Sequence, residues 1–101
     1  MNLVKENQYK KKRFQILCCI YTFIESNPRN EIKVDELIKH PHLKKLSERD
    51  ILNGVDFLKN KGFIVWDFDS DLPSGYVWVT SEGIKEIESN IETMLDLIEH
   101  S

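Results

Sequence analysis

The stretch SERDILNGVDFLKNKGFIVW, residues 47–66, admits few folds. Ser47 is the kind of residue whose side-chain oxygen accepts from the open amides of a first helical turn. Glu48 and Asp50 put carboxylates where the helix dipole is positive. Ile51, Val55 and Leu58 recur at spacings of four and three, which is one face of a helix. Lys59 and Lys61 stand in the last turn, and Gly62 follows as the residue that tolerates the left-handed backbone past a helix end. Phe63, Ile64, Val65 and Trp66 come next with no intervening loop, and all suit a pleated, half-buried surface. A helix and a strand joined this closely must pack on one shared core, so the segment is the architectural centre of the chain.

One such core is what 101 residues support. Hydrophobic residues make up 41% and charged residues 31%, a globular balance, and no apolar run approaches the roughly 20 residues needed to span a bilayer. The N-terminus MNLVKENQYKKKR has no apolar segment before a small-residue cleavage site, so the expected location is cytoplasmic. Cys18 and Cys19 are adjacent in a helical pattern, cannot bridge each other in regular helix, and read as buried small hydrophobes. Charge is unevenly divided: residues 1–62 carry 13 Lys and Arg against 8 Asp and Glu, whereas residues 63–101 carry 1 against 9. Such asymmetry suits a nucleic-acid face, and equally a chain that stays soluble by an acidic tail beside a basic head.

In chain order, residues 1–8 have no period and are expected to form a flexible, fraying N-terminus. From about Tyr9 to Ser26 the pattern is helical. Phe14, Leu17, Cys18, Tyr21 and Ile24 lie on one face, and Ile16, Cys19, Ile20 and Phe23 on a neighbouring one. A helix so nearly apolar all round is either central or meets a second subunit. Ser26, Asn27 and Pro28 end it. Glu31 to Lys33 suits a very short strand, Val34 to about His40 a second short helix, and Pro41 to Leu46 the passage into the Ser47 helix. After a strand from Phe63 to about Phe68, DSDLPSG reads as a hairpin tip, with Pro73 in a type I turn and Gly75 relaxing into a bulge. Tyr76 to Thr80 returns, with Val77 and Val79 on one side and Tyr76 and Trp78 on the other. Thr80 is the expected N-cap of a final helix, 81–99, in which Ile84, Ile87, Ile91, Met94 and Ile98 form a heptad seam that Leu95 and Leu97 broaden. The expected dimer interface is therefore Ile84, Ile87, Ile91, Met94, Leu95 and Ile98, with simple packing of the stripe on the first helix as the alternative.

This order of elements resembles a winged helix-turn-helix domain, α+β and mainly α, with a three-helix core, a wing sheet of two to three strands and a long C-terminal helix. The run Leu58-Lys59-Asn60-Lys61-Gly62-Phe63-Ile64 is similar to the exit from that fold's recognition helix. Tyr76-Val77-Trp78-Val79-Thr80-Ser81-Glu82-Gly83 is similar to the strand exit, with threonine and glycine, of small PadR-like and MarR-like bacterial or phage regulators. The resemblance covers 9–99. It implies a homodimeric transcriptional regulator that binds duplex DNA, with the third helix in the major groove and the wing on the backbone or minor groove.

Function does not follow from fold, so the residues must carry it themselves. At about 100° per residue, the face opposite Ile51, Val55 and Leu58 presents Arg49, Asn53, Asp56 and Asn60. Arg49 can pair with guanine and Asn53 with adenine, each worth roughly 1–3 kcal/mol of discrimination; a solvated helix face is the plainer reading. Lys44, Lys45 and Ser47 before the helix, and Lys59 and Lys61 at its end, are the candidate phosphate contacts, with the Lys10 to Arg13 run as a further source of cations. Asp67, Asp69 and Asp71 depart from the basic wing that the resemblance implies, because phosphates repel them. The alternative is therefore a winged-helix protein-interaction module that does not bind DNA, using its acidic wing and the aromatics Tyr76 and Trp78 as a partner site.

No glycine-rich phosphate loop, nucleophile motif or metal-ligand spacing is present, so no enzyme activity, metal or cofactor is expected. His40 and His42 flank Pro41 without a nearby cysteine in sequence. Asp67, Asp69 and Asp71 lack the glycine and distant glutamate of a calcium loop. The expected partners are double-stranded DNA and a second copy of the chain, held through the C-terminal helix with the first helix as a further surface, and no membrane.

Overall fold

A computed structural model describes the backbone of residues 3–26, 30–69, 72–92 and 95, and the side chains of 9–26, 30–67, 75–92 and 95. Among these the chain is an α+β domain, mainly helical. Its order is α1 (Leu3–Ser26), β1 (Ile32–Lys33), α2 (Val34–Ile38), a 3-10 turn (Pro41–Leu43), α3 (Glu48–Asn60), β2 (Ile64–Asp69), β3 (Leu72–Val79) and α4 (Ser81–Ser89). The three strands make one antiparallel sheet in the order β1-β3-β2.

Helix α3 begins and ends as its local chemistry dictates. Ser47 Oγ accepts from the Asp50 amide at 3.0 Å. At the far end Gly62 has φ +78°, while Phe63 N–H donates to Leu58 O and Gly62 N–H to Lys59 O, each at 3.0 Å. That is the paired hydrogen bonding of a left-handed helix stop. Ile51, Val55 and Leu58 are buried in the core, each contributing about 1.5–3 kcal/mol of apolar transfer. Gly54 sits where a Cβ would collide with the Ile16 side chain, so the glycine lets α1 and α3 approach closely.

The glycine turn after α3 is tied directly to the start of α4 by Thr80. Its Oγ1 donates to Gly62 O at 2.6 Å and accepts from Gly83 N–H at 3.1 Å, and its own N–H donates to Phe63 O at 3.0 Å. Thr80 is thus both helix cap and clasp, whereas Ser47 is a cap alone. Thr80→Ala is expected to lower the unfolding free energy by about 2 kcal/mol and Ser47→Ala by about 1 kcal/mol, as measured by chemical denaturation.

Helix α1 is the central element. Five consecutive residues, Ile16, Leu17, Cys18, Cys19 and Ile20, are buried within this one chain, and α1 packs against α3, α4, β1, β3 and the 3-10 turn. Phe14, Tyr21, Phe23 and Ile24 on the same helix pack against this core and are half-buried. The helix starts at Leu3 rather than near Tyr9. Lys, Glu and Gln lose little rotamer freedom in a helix, and no glycine or proline interrupts 3–26, so helix propagates there without an apolar face.

Two further expectations are corrected. The hairpin connection is not at Pro73: β3 already begins at Leu72, and residues 70–71 between the strands lie outside the described residues. Between the pairs Asp67↔Tyr76 and Asp69↔Leu72, β3 has three residues where β2 has one. Gly75, at φ +77°, occupies that irregularity, where a Cβ would collide with Asp67 O. The final helix does not run unbroken over 81–99: α4 ends at Ser89, and Asn90 leaves the helical region at φ −129°, ψ 35°. Asn90 Nδ2 donates to Glu86 O at 2.8 Å, the side-chain-to-backbone bonding by which asparagine closes a helix. Helical backbone resumes at 91, 92 and 95.

The sheet has a buried and an open face. Ile32, Ile64 and Val77 are buried, and Trp66 and Val79 pack beside them. On the other face the register sets Lys33 and Asp67 on either side of Tyr76, and Val65 beside Trp78. Tyr76 and Trp78 are half-buried and Val65 is exposed.

Candidate functional site

The outer strip of α3 is built by its own amphipathicity. With Ile51, Val55 and Leu58 turned inward, Arg49, Asn53, Asp56 and Asn60 are all exposed. Arg49 and Asn53 stand one turn apart on this strip. Asn53 also borders a recess of about 270 Å³ between α1 and α3, which Tyr9, Lys12 and Arg13 line from the α1 side. The basic run of α1 is thereby brought beside α3, a juxtaposition that local spacing does not reveal. Lys12 is engaged there, its Nζ 3.1 Å from Asp50 Oδ2. Asp50 is held below the usual carboxylate range chiefly by the hydrogen bond from Lys12, with help from the lysine's charge and Ser47.

The candidate phosphate contacts fall into three positions. Lys44 and Lys45 are exposed in the turn before α3. Lys59 is exposed in the last turn, about 20 Å away by the helical rise. Lys61 instead turns toward α1, with Nζ 5.6 Å from the centre of the Phe57 ring, which the Arg13 guanidinium covers at 3.7 Å. Ser47 Oγ is already the acceptor of the α3 cap. The structure therefore brings Lys61 to Lys10, Lys11 and Arg13, around a cavity between α1, the end of α3 and α4. Asp67 is exposed on the hairpin; the side chains of Asp69 and Asp71 lie outside the described residues.

The expected dimer seam divides. Ile87 is 1% exposed and belongs to this chain's own core, which corrects its assignment to an interface, since no side-chain surface is left for a partner. Ile84 is half-buried. Ile91 and Leu95 are 44% and 52% exposed, respectively. Met94 and Ile98 lie outside the described residues.

The turn that positions Lys44 and Lys45 is held by histidine chemistry. His40 Nδ1 accepts from His42 N–H at 3.2 Å and so caps the 3-10 turn. The two imidazoles stack with centroids 5.1 Å apart, the Phe23 ring meets His40 edge-on, and Gln15 Nε2 donates to His42 O at 2.9 Å. Burial, with the neighbouring His42, holds the His40 pKa below its ordinary 6.5. A protonated Nδ1 could not accept the capping bond. The folded state thus binds fewer protons than the unfolded one just below that value: the contribution is complete above 6.5 and is lost as pH falls through the lowered folded pKa. Stability is expected to decline over this range, and His40→Asn, which keeps an acceptor but does not titrate, to flatten the decline in denaturation measured against pH.

Burial pushes the Cys18 and Cys19 thiols up to about 12, with Cys19 adding to the effect on Cys18, so both are protonated and poor nucleophiles at neutral pH. Among the described residues no cluster of three His, Cys, Asp or Glu side chains could hold a metal ion, and no helix is long and apolar enough to cross a membrane. Comparison with protein-family models, with curated proteins and with solved structures gives no match.

Proposed function

We propose that this chain is a winged helix-turn-helix protein that binds duplex DNA sequence-specifically as a homodimer and acts as a transcriptional regulator. The observation that carries the reading is the α3 strip. Arg49 and Asn53 are exposed on a helix capped at both ends, with exposed cations Lys44 and Lys45 at one end and Lys59 at the other. A rigid helix carrying a bidentate donor and an amide, between cations spaced along its length, matches what base edges and flanking phosphates require. Exposed Ile91 and Leu95 supply apolar surface for pairing two copies. In such a dimer two α3 helices about 34 Å apart would meet successive major grooves.

The test is a pair of substitutions read by fluorescence anisotropy on duplexes of varied sequence. Arg49→Ala is expected to reduce discrimination at one base position by about 1–3 kcal/mol, whereas Lys44→Ala weakens all sequences alike and lowers the salt slope by about 1. Loss of equal size on every duplex for both variants would remove base reading from Arg49.

The open sheet face favours a second reading, a protein-interaction module. Exposed Val65 lies beside half-buried Trp78, with Asp67 next to Tyr76. A partly aromatic surface edged by Asp67 on the hairpin and Lys33 on β1 suits a partner protein of mixed charge. The two readings separate on whether mixed-sequence duplex is bound at low salt.

A further inference from the structure

The cavity between α1, the end of α3 and α4 has a volume of about 570 Å³, within the roughly 300–1,000 Å³ typical of small-molecule sites. Its wall is apolar: Phe14, Phe57 and Phe63 pack against the core, are half-buried and line the cavity. Its rim is cationic, formed by Lys10, Lys11, Arg13 and Lys61. Among the described residues none of these four pairs with a carboxylate. The acid at the edge, Glu86, has its Oε1 3.3 Å from the amide of Asn90. Arg13 and Lys61 are both drawn to the Phe57 ring, at 3.7 and 5.6 Å from its centre. A ring quadrupole attracts each cation, but it does not neutralise them.

An inorganic anion would meet the cations and leave the aromatic wall wet, while a neutral hydrocarbon would cover the wall and leave the cations uncompensated. A molecule with an apolar body and one anionic end satisfies both. We propose that this cavity is a binding site for a small amphipathic carboxylate, its apolar body against Phe14, Phe57 and Phe63 and its carboxylate between Arg13 and Lys61. The Arg13 guanidinium, its carbon 3.7 Å from the centre of the Phe57 ring, is planar and carries the edge N–H donors that a carboxylate needs for paired hydrogen bonds. The site stands independently of DNA binding.

The experiment is titration of the full chain with decanoate, decanol and acetate, followed by calorimetry and by amide chemical shifts. Decanoate is expected to bind saturably and to shift the amides of Arg13, Phe57 and Lys61. Decanol, with the same tail and no charge, should bind about tenfold more weakly or worse, and acetate should not saturate. The double substitution Arg13→Gln, Lys61→Gln should weaken decanoate by about tenfold or more and leave decanol unchanged; circular dichroism of the variant checks that the fold is intact. Equal affinity for decanoate and decanol, or a decanoate affinity indifferent to the double substitution, would overturn the proposal. So would decanoate affinity that falls as protein concentration rises, because the acidic, apolar 91–101 stretch of a second copy would then be the occupant.

Discussion

Replacing Ile87 by alanine is expected to lower the free energy of unfolding by about 2–5 kcal/mol, and by the same amount at every protein concentration. Ile87 is 1% exposed on α4 and belongs to the core that α1 centres. Truncation removes apolar contact and leaves a cavity that helices fixed by caps at Thr80 and Ser47 cannot readily close. Ile91→Ala, at a position 44% exposed, should barely change the monomer; any effect it has should grow with protein concentration, as a subunit contact requires. Urea denaturation at two concentrations separates the two. A small loss for Ile87→Ala that scales with concentration would return Ile87 to an interface.

The second large effect is expected at Gly83, where alanine should lower stability by about 1–3 kcal/mol. Gly83 lies in the first turn of α4, and a Cβ there would collide with Phe63 O and approach Val79 Cγ1 at 2.7 Å. The carbonyl cannot move aside cheaply, because it accepts the Thr80 N–H at 3.0 Å. Nor can the helix lift away without stretching the bonds that its capping residue Thr80 donates to Gly62 O and Phe63 O. Denaturation of Gly83→Ala against Gly83→Ser checks the claim: both should be destabilised, since both add a Cβ. A neutral Gly83→Ala would show that the contact between α4 and the α3 exit yields easily.

These two positions also mark what can be read from a linear sequence. Ser47, Thr80 and Gly62 are legible because capping depends on residues within a turn of each other, and α3, β2 and α4 begin or end about where those signals stand. The two short motifs that carried the winged-helix resemblance are joined in space by Thr80 and Gly83, meeting Gly62 and Phe63. Periodicity served less well where it was ambiguous. The 3, 4 spacing from Ile84 onward describes an apolar stripe without saying what covers it; Ile87 faces this chain's core and Ile91 faces solvent, with Asn90 breaking the helix between them. Pro73 and Gly75 are turn residues by composition, yet the strand irregularity between the Asp67 and Asp69 pairs absorbs both. The cationic cavity was not legible, because Lys10, Arg13, Phe57 and Lys61 meet only through the packing of α1 on α3.

Under the proposed function the outer strip of α3 meets duplex DNA, and the affinity of the full chain for a mixed-sequence duplex as a function of salt measures that contact. Neutralising one phosphate contributes a slope of about −0.9 in log affinity against log salt. Contacts from Lys44, Lys45 and Lys59 in each of two subunits therefore predict binding at low salt and a slope of about −5. Absence of duplex binding at low salt would contradict the account, leaving the open face of Val65, Tyr76 and Trp78 as the surface to pursue.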